Sequence, residues 1–301
     1  MSHITYINRE SGQKEREKVY GEIFLKFLYQ SPACVKILSY LILPLFARVK
    51  FLSYLYGACQ KWGLSKRKIK PFIKAYGIDT TEFLDPVDSF RSFNDFFIRE
   101  LRSECRPIVD NPSIATLPAD GRYLVYPTIS SNHSFTVKGQ NFDMQTLLKS
   151  EALAKEYEGG AMAIARLCPV DYHRFHFPCD GAPSTPQKIN GPLYSVNPIA
   201  LAKNINYLAE NKREITFIES DHFGKVAFIE VGATYVGTIR QTFDPSKPCK
   251  KGDEKGYFEF GGSCIILLFQ KGTITFDDDL IAATGQGFET LGLMGQSLGR
   301  N

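Results

Sequence analysis

The sequence predicts an α+β protein: basic, membrane-associating helices at the N-terminus, followed by a β-rich catalytic body. Three observations predict it. Met1 to Thr80 holds 14 Lys/Arg against 5 Asp/Glu, a charge of +9, whereas the 301 residues together carry +4. Between Gly21 and Gly57 apolar residues recur at helical spacing, as at Ile23, Phe24, Phe27 and Leu28. From about residue 111 onward, short apolar runs alternate with Gly, Pro, Asn and Asp, the texture of strands and turns. The expected boundaries are therefore 1–110 for the helical region and 111–301 for the body.

Composition narrows the class. Hydrophobic residues make up 44% and charged residues 23%, ordinary values for a folded protein. The seven cysteines show no C-x-x-C pair and no metal-ligand spacing, which argues for a reducing compartment and against a disulfide framework. Met1 to Tyr20 has no apolar core segment, and acidic Glu10, Glu15 and Glu17 speak against a transit peptide.

Within the first region, Ile37 to Ala47 has no charge but runs only 11 residues and contains Pro44. A span needs ~20 apolar residues. Helices lying among headgroups suit it better, with Tyr40, Phe46, Phe51, Tyr54 and Tyr56 at interfacial depth. Lys66, Arg67, Lys68, Lys70 and Lys74 follow, each worth about 1 kcal/mol near an anionic leaflet. An amphipathic helical domain packed on the body is the alternative. Nucleic acid ranks well below lipid as the anionic partner, since no zinc-finger or RNP-like motif accompanies the charges.

Next comes S-F-R-S-F-N-D-F-F-I-R-E-L, from Ser89 to Leu101. Phe90, Phe93, Phe96 and Phe97 fall on one helical face and read as core. Pro118-Ala119-Asp120-Gly121-Arg122 is turn chemistry. Phe135 to Leu148 reads as a strand followed by a helix start. In R-L-C-P-V-D-Y-H-R-F-H-F-P, from Arg166 to Pro178, two of the five histidines stand three apart. On an extended segment His173 and His176 point to opposite faces, so they do different jobs. His133 and His222 match no motif and read as surface residues. Val226 to Val236 reads as a core strand.

Lys251 to Phe269 organises the whole chain. Gly261 and Gly262, without Cβ, permit strained backbone just ahead of Ser263, and Cys264 to Phe269 is a buried strand. A serine held there is placed to attack the carbonyl of the residue before it. Beyond it, Thr273 to Phe276 reads as a strand, Asp277 to Asp279 as a solvated acidic turn, and the last dozen residues as frayed.

Four of these stretches, S-F-N-D-F-F-I-R-E-L, P-A-D-G, D-Y-H-R-F-H-F-P and G-Y-F-E-F-G-G-S, occur in the order and form that resemble the bacterial-type phosphatidylserine decarboxylase proenzymes. Val137-Lys138-Gly139 resembles the family as well. Cys264 departs from it, standing where the family has threonine. The resemblance runs from about Ser89 to Phe276, and more loosely upstream.

The resemblance implies autocatalytic serinolysis between Gly262 and Ser263, giving a long chain (1–262) and a short one (263–301). Ser263 becomes a covalent pyruvoyl group, whose ketone forms a Schiff base with the amine of phosphatidylserine and acts as an electron sink. The products are phosphatidylethanolamine and carbon dioxide. By position the resemblance makes Asp120, His176 and Ser263 the processing triad and His173 the proton donor in decarboxylation. Residue types alone allow either imidazole in either role. The implied partners are phosphatidylserine in an anionic membrane and the two chains of one proenzyme, with no nucleic acid and an oligomer left open. The implied location is peripheral, on the cytoplasmic face of the cell membrane. Rival classes are a triad serine hydrolase, which would want a G-x-S-x-G elbow absent here, a non-catalytic lipid-binding module, and a pyruvoyl decarboxylase of a soluble amino acid.

Overall fold

Ser263–Phe269 is buried along its whole length and occupies the middle of the main sheet. Its two faces explain the unbroken apolar run. Cys264, Ile266 and Leu268 enter one core with Phe142, Leu147 and Ile229. Ile265, Leu267 and Phe269 enter another with Phe175, Phe228 and Phe258. A strand covered on both sides has no polar face, so alternation disappears from its sequence.

The computed structural model describes residues 4–29, 57–129, 134–137, 139–233, 238–261 and 263–301. In chain order the strands are β1 (Thr5–Asn8), β2 (Lys14–Arg16), β3 (Ile114–Thr116), β4 (Gly121–Tyr126), β5 (Ser134–Val137) and β6 (Gln140–Asp143). Then come β7 (Ala161–Leu167), β8 (Arg174–His176), β9 (Ala182–Pro183), β10 (Gln187–Ile189), β11 (Arg213–Ser220) and β12 (Gly224–Gly232). The last are β13 (Ile239–Gln241), β14 (Glu254–Phe258), β15 (Ser263–Phe269), β16 (Thr275–Phe276), β17 (Glu289–Gly292) and β18 (Ser297–Arg300).

The main sheet runs β10-β11-β12-β15-β7-β4-β17-β1-β2, with β9 also on β11. A smaller sheet, β13-β14-β8, contributes Phe175, Ile239 and Phe258 to the second of the two cores. Lys255 of β14 and Glu230 of β12 join the two sheets as a fully buried ion pair. Phe175, Phe177, Phe228 and Phe243 surround the Lys255 ammonium at 4.9–5.9 Å. A third core gathers Phe72, Phe83, Phe90, Phe93, Phe96 and Phe97 around Phe260, just ahead of β15.

The architecture is α+β with a β-rich body, and three expectations change. Residues 1–110 are not uniformly helical: β1 and β2 form a hairpin that extends the main sheet through β17. The C-terminal dozen is not frayed, since β17 pairs with β1 and β4, and β18 with β3 and β16. Asp277 and Asp279 are ion partners of Arg9, at the start of the helix Asp278–Gly285, rather than a free acidic turn. The segment after Phe135 is a β5–β6 hairpin leading into the helix Met144–Leu148.

Tyr40, Phe46, Phe51, Tyr54, Tyr56 and the apolar run Ile37 to Ala47 lie outside the described residues, as does His133. No described helix is long and apolar enough to cross a membrane. Lys66, Arg67, Lys68, Lys70 and Lys74 are exposed, and beside them stand Trp62 and Leu64, 67% and 59% exposed.

Candidate active site

The site forms where the two sheets and the phenylalanine cluster meet. Ser263 is the first residue of β15, opposite Gly232 of β12 and Leu167 of β7, and it is fully buried. It shares the strand parity of Ile265 and Leu267, whose side chains enter the core that holds β8 and β14. Two residues upstream, Gly261 has φ +140°, a region that residues with a side chain rarely adopt. Gly262 is outside the described residues.

Leaving β7, the chain folds into a tight loop around the carbonyl of Cys168. The Asp171 amide donates to that oxygen at 2.9 Å, and the Asp171 carboxylate accepts from the Cys168 amide at 2.6 Å. His173 Nε2 lies 2.9 Å from the same carbonyl. A carbonyl can only accept, so Nε2 carries the proton and Nδ1 presents its lone pair. Ser263 Oγ lies 3.5 Å from Nδ1, at the outer reach of a hydrogen bond. Phe97 stacks on the imidazole, centroids 3.8 Å apart and planes 20° from parallel. Burial, then the charge of Arg99, pushes His173 well below the ordinary histidine value, so the ring is neutral. A neutral imidazole aimed at a buried hydroxyl has the arrangement that general-base chemistry uses.

His173 and His176 do face different surroundings. His176 Nδ1 is 3.0 Å from the Gly252 carbonyl and therefore donates. Its Nε2 is left to accept from the Tyr172 hydroxyl at 3.2 Å. Asp120 is buried and accepts from Arg106 Nη2 at 2.7 Å and from the Met294 amide at 2.9 Å. Arg106 also pairs with Glu82, making a row Glu82–Arg106–Asp120. The Asp120 charge is felt at His176, but no hydrogen bond joins the two. The imidazole that the fold brings to Ser263 is His173, whereas the resemblance assigned that place to His176 with Asp120 behind it.

A cavity of about 630 Å³ opens beside the serine strand. Gly261, Leu167 and Cys168 line its inner end; Tyr20, Leu25, Leu28, Tyr29, Val170 and Phe260 give it apolar walls. Arg16, Lys18, Arg122 and Arg166 make it cationic, with Glu17 among them. Arg166 binds Glu17 at 2.6 Å and Glu289 at 2.5 Å, and Arg122 pairs with Asp171. Sequence reasoning missed these buried arginines, together with Glu17, Asn94 and Arg99. A signal existed: Arg122, Arg166 and Glu230 each interrupt an otherwise apolar strand, where an unpaired charge would be prohibitive.

A β-rich body with a buried serine–imidazole pair at the start of a central strand, beside an amphiphilic cationic cavity, has the make-up of an enzyme. Comparison with known proteins then places the chain. Residues 93–300 match the family model described as phosphatidylserine decarboxylase. A protein of Chlamydia muridarum is 48% identical over 295 residues, covering 98% of this chain and 96% of its own length. Proteins of Chlamydia trachomatis serovar L2b and Chlamydia pneumoniae are 44% and 46% identical, over 99% and 100% of this chain and 97% and 98% of theirs. All three are named phosphatidylserine decarboxylase proenzyme. The chain belongs to the phosphatidylserine decarboxylase family.

Proposed function

We propose that the chain is a proenzyme that cuts itself between Gly262 and Ser263 and then decarboxylates phosphatidylserine to phosphatidylethanolamine at a membrane surface. The observation that carries this reading is the approach of Ser263 Oγ to the unprotonated Nδ1 of His173, next to Gly261 in a strained backbone region.

His173 takes the hydroxyl proton as Oγ attacks the carbonyl of Gly262. The proton passes on to the amine released when the peptide bond breaks, leaving an ester. Loss of the α-proton of residue 263 expels the Gly262 carboxylate, and hydrolysis of the resulting enamine releases ammonia and leaves a pyruvoyl cap. The surroundings suit such a cap, because the position is buried, lies two residues past Gly261 in the cavity wall and has an imidazole within reach. A pyruvoyl carbonyl supplies the electron sink that decarboxylation of an amino acid headgroup needs.

The protein's own groups do the rest. His173, held by Phe97 and the Cys168 carbonyl, keeps a single nitrogen facing residue 263, where it can return a proton to the carbon that carbon dioxide leaves. Burial holds water away from that carbon. Arg16 and Lys18 stand at the cavity with the charge to meet a phosphodiester, and the apolar walls accept the start of acyl chains. Exposed Trp62 and Leu64 beside the Lys66–Lys74 run support docking on an anionic leaflet, the aromatic and aliphatic groups entering the headgroup layer and the lysines its surface field. The Glu82–Arg106–Asp120 row has a supporting part, fixing the Pro118–Gly121 turn.

Intact mass under denaturing conditions tests the processing. Two chains of 262 and 39 residues are expected, the short one resistant to N-terminal sequencing. A single chain of 33.9 kDa that releases no carbon dioxide from phosphatidylserine vesicles would exclude the reading.

A further inference from the structure

The turn that leads to His173 is held from more sides than a connection between two strands requires. Cys168-Pro169-Val170-Asp171 lies between β7 and β8 and is closed by the Asp171 amide on the Cys168 carbonyl at 2.9 Å. Proline at its second position suits such a turn, because the ring presets φ. The closure is then doubled, since the Asp171 carboxylate accepts from the Cys168 amide at 2.6 Å. One residue thus engages both backbone groups of Cys168. The carbonyl fixed in this way is the one that takes the Nε2 proton of His173.

Two buried guanidiniums grip the turn from different elements. Arg122, on β4, donates from Nη1 to the Asp171 carboxylate, and Glu17 stands 3.5 Å from its Nε. Arg99, two residues past the helix Phe93–Phe97, donates from Nη2 to the Val170 carbonyl at 3.1 Å and to the Asp171 carbonyl at 3.3 Å. Arg99 is 5% exposed and lies against the rings of Phe83 and Phe96, at 4.9 and 5.0 Å. Its Nε and Nη1 have no hydrogen-bond partner among the described residues. Burying a guanidinium with one nitrogen engaged is costly, and a turn that merely joined two strands would not need it.

We propose that Asp171, gripped by Arg122 and Arg99, is the positioning residue that fixes the tautomer of His173 for decarboxylation. The inference rests on the decarboxylation proposed above and takes nothing from the self-cleavage step. The substrate's ammonium must lose a proton before its nitrogen can react with a carbonyl, and Nδ1 takes that proton. When carbon dioxide leaves, the electron pair of the broken C–C bond forms a C–H bond with the same proton, and the ring is neutral again. No oxidant or reductant enters. With the Nε2 proton held on the Cys168 carbonyl, the ring exchanges protons only at Nδ1, the nitrogen that faces residue 263. In the opposite tautomer Nδ1 would keep its proton, and the lone pair would point away from the reacting carbon. Asp171 acts through the Cys168 carbonyl, so it is a positioning residue and not a catalytic one.

Nitrogen-15 spectra of enzyme made with ring-labelled histidine read the tautomer directly, with the His173 signals assigned by their loss in His173→Gln. In parallel, kcat and KM are measured for carbon dioxide release from phosphatidylserine in neutral detergent micelles, per processed chain counted by intact mass. The wild-type ring should carry its proton on Nε2. Asp171→Ala should give a mixture of tautomers and lower kcat by about tenfold or more, short of the roughly 10²–10⁴-fold typical of losing the imidazole itself, with KM changed by less than about twofold. Asp171→Asn keeps an oxygen for the Cys168 amide and should restore the Nε2 signal and most of kcat. Arg99→Met removes the grip on the two carbonyls, keeps an apolar stem against the two rings, and should shift both readings the same way; it serves where Asp171→Ala does not fold. A wild-type tautomer in these variants, or a lowered kcat with the tautomer unchanged, would overturn the proposal while leaving decarboxylation intact. So would equal losses in Asp171→Ala and Asp171→Asn with lowered melting temperatures, the mark of a merely structural turn. A processed wild-type enzyme that releases no carbon dioxide would overturn the decarboxylation reading and this inference with it.

Discussion

At the scale of single residues, two histidines three positions apart present opposite ring nitrogens as acceptors because their neighbours fix opposite tautomers. The Cys168 carbonyl takes the proton of His173 Nε2 and frees Nδ1 toward Ser263, while the Gly252 carbonyl takes the proton of His176 Nδ1. His173→Gln should therefore abolish the appearance of two chains, by the 10²–10⁴-fold typical of a lost general base. His176→Gln should still cleave, losing about 1–3 kcal/mol of stability through the bonds to Tyr172 and Gly252; mass spectrometry against time separates the two. Loss of cleavage in His176→Gln alone would restore the triad that the resemblance implied. Acid sensitivity follows from the same burial. An unfolded histidine takes its proton near pH 6.5, while both rings in the folded chain hold theirs only at lower pH. Below about pH 6.5 the unfolded chain thus binds more protons, and stability falls on acidification by up to about 1.4 kcal/mol per pH unit for each ring. His173→Gln should flatten that slope in denaturant titrations at pH 6.5 and below. Which imidazole meets the serine was not legible in the sequence. The i, i+3 spacing tells that the faces differ, but the choice depends on how β8 pairs with β14, across a register shift at Glu254/Gly256.

At the scale of elements, the body was legible where strands are long and apolar. β12 and β15 are nine and seven residues long and almost wholly buried; the sequence shows β15 as an unbroken apolar run and β12 as one broken by Glu230. The N-terminal hairpin was not legible, because strands of four and three residues, with polar side chains at Asn8, Lys14 and Arg16, carry too little alternation to register. Its importance lies in one residue just past β2. The Glu17 side chain is buried and joins Arg166 at 2.6 Å and Arg122 at 3.5 Å, so an edge hairpin closes the charge balance behind the cavity. Glu17→Ala leaves two buried guanidiniums short of a counter-charge. Breaking a buried pair from one side costs about 3–5 kcal/mol, and the surviving Glu289 and Asp171 contacts set the expected loss near ~3 kcal/mol. The denaturant midpoint should fall by that amount with an unchanged slope. A change below about 0.5 kcal/mol would mean that the arginines do not depend on the hairpin.

At the scale of the molecule, the cut proposed at Gly262–Ser263 divides the structure in a way that neither product can survive alone. The short chain would take β15, inserted between β12 and β7, and β17, inserted between β4 and β1. Its departure would open the main sheet in two places and strip both cores. Five large side chains of β15, Ile265 to Phe269, are almost completely buried; at about 1.5–3 kcal/mol each, their burial alone gives on the order of 10 kcal/mol. The long chain keeps its new end near the site through the β14 pairings with β8 and β13 and through the Phe260–Asn94 bond. The two chains should therefore elute together at nanomolar concentration, and should part in denaturant only in the same single transition that melts the sheet. Measuring the short chain's release by size exclusion, alongside the loss of far-ultraviolet circular dichroism, checks this. Release at lower denaturant than unfolding would show that β15 and β17 are held less tightly than their place in the sheet requires. Coincidence would mean that the cleaved backbone is held shut by the same packing that folds the uncut chain, so that the only freedom gained by the cut is at residue 263 itself.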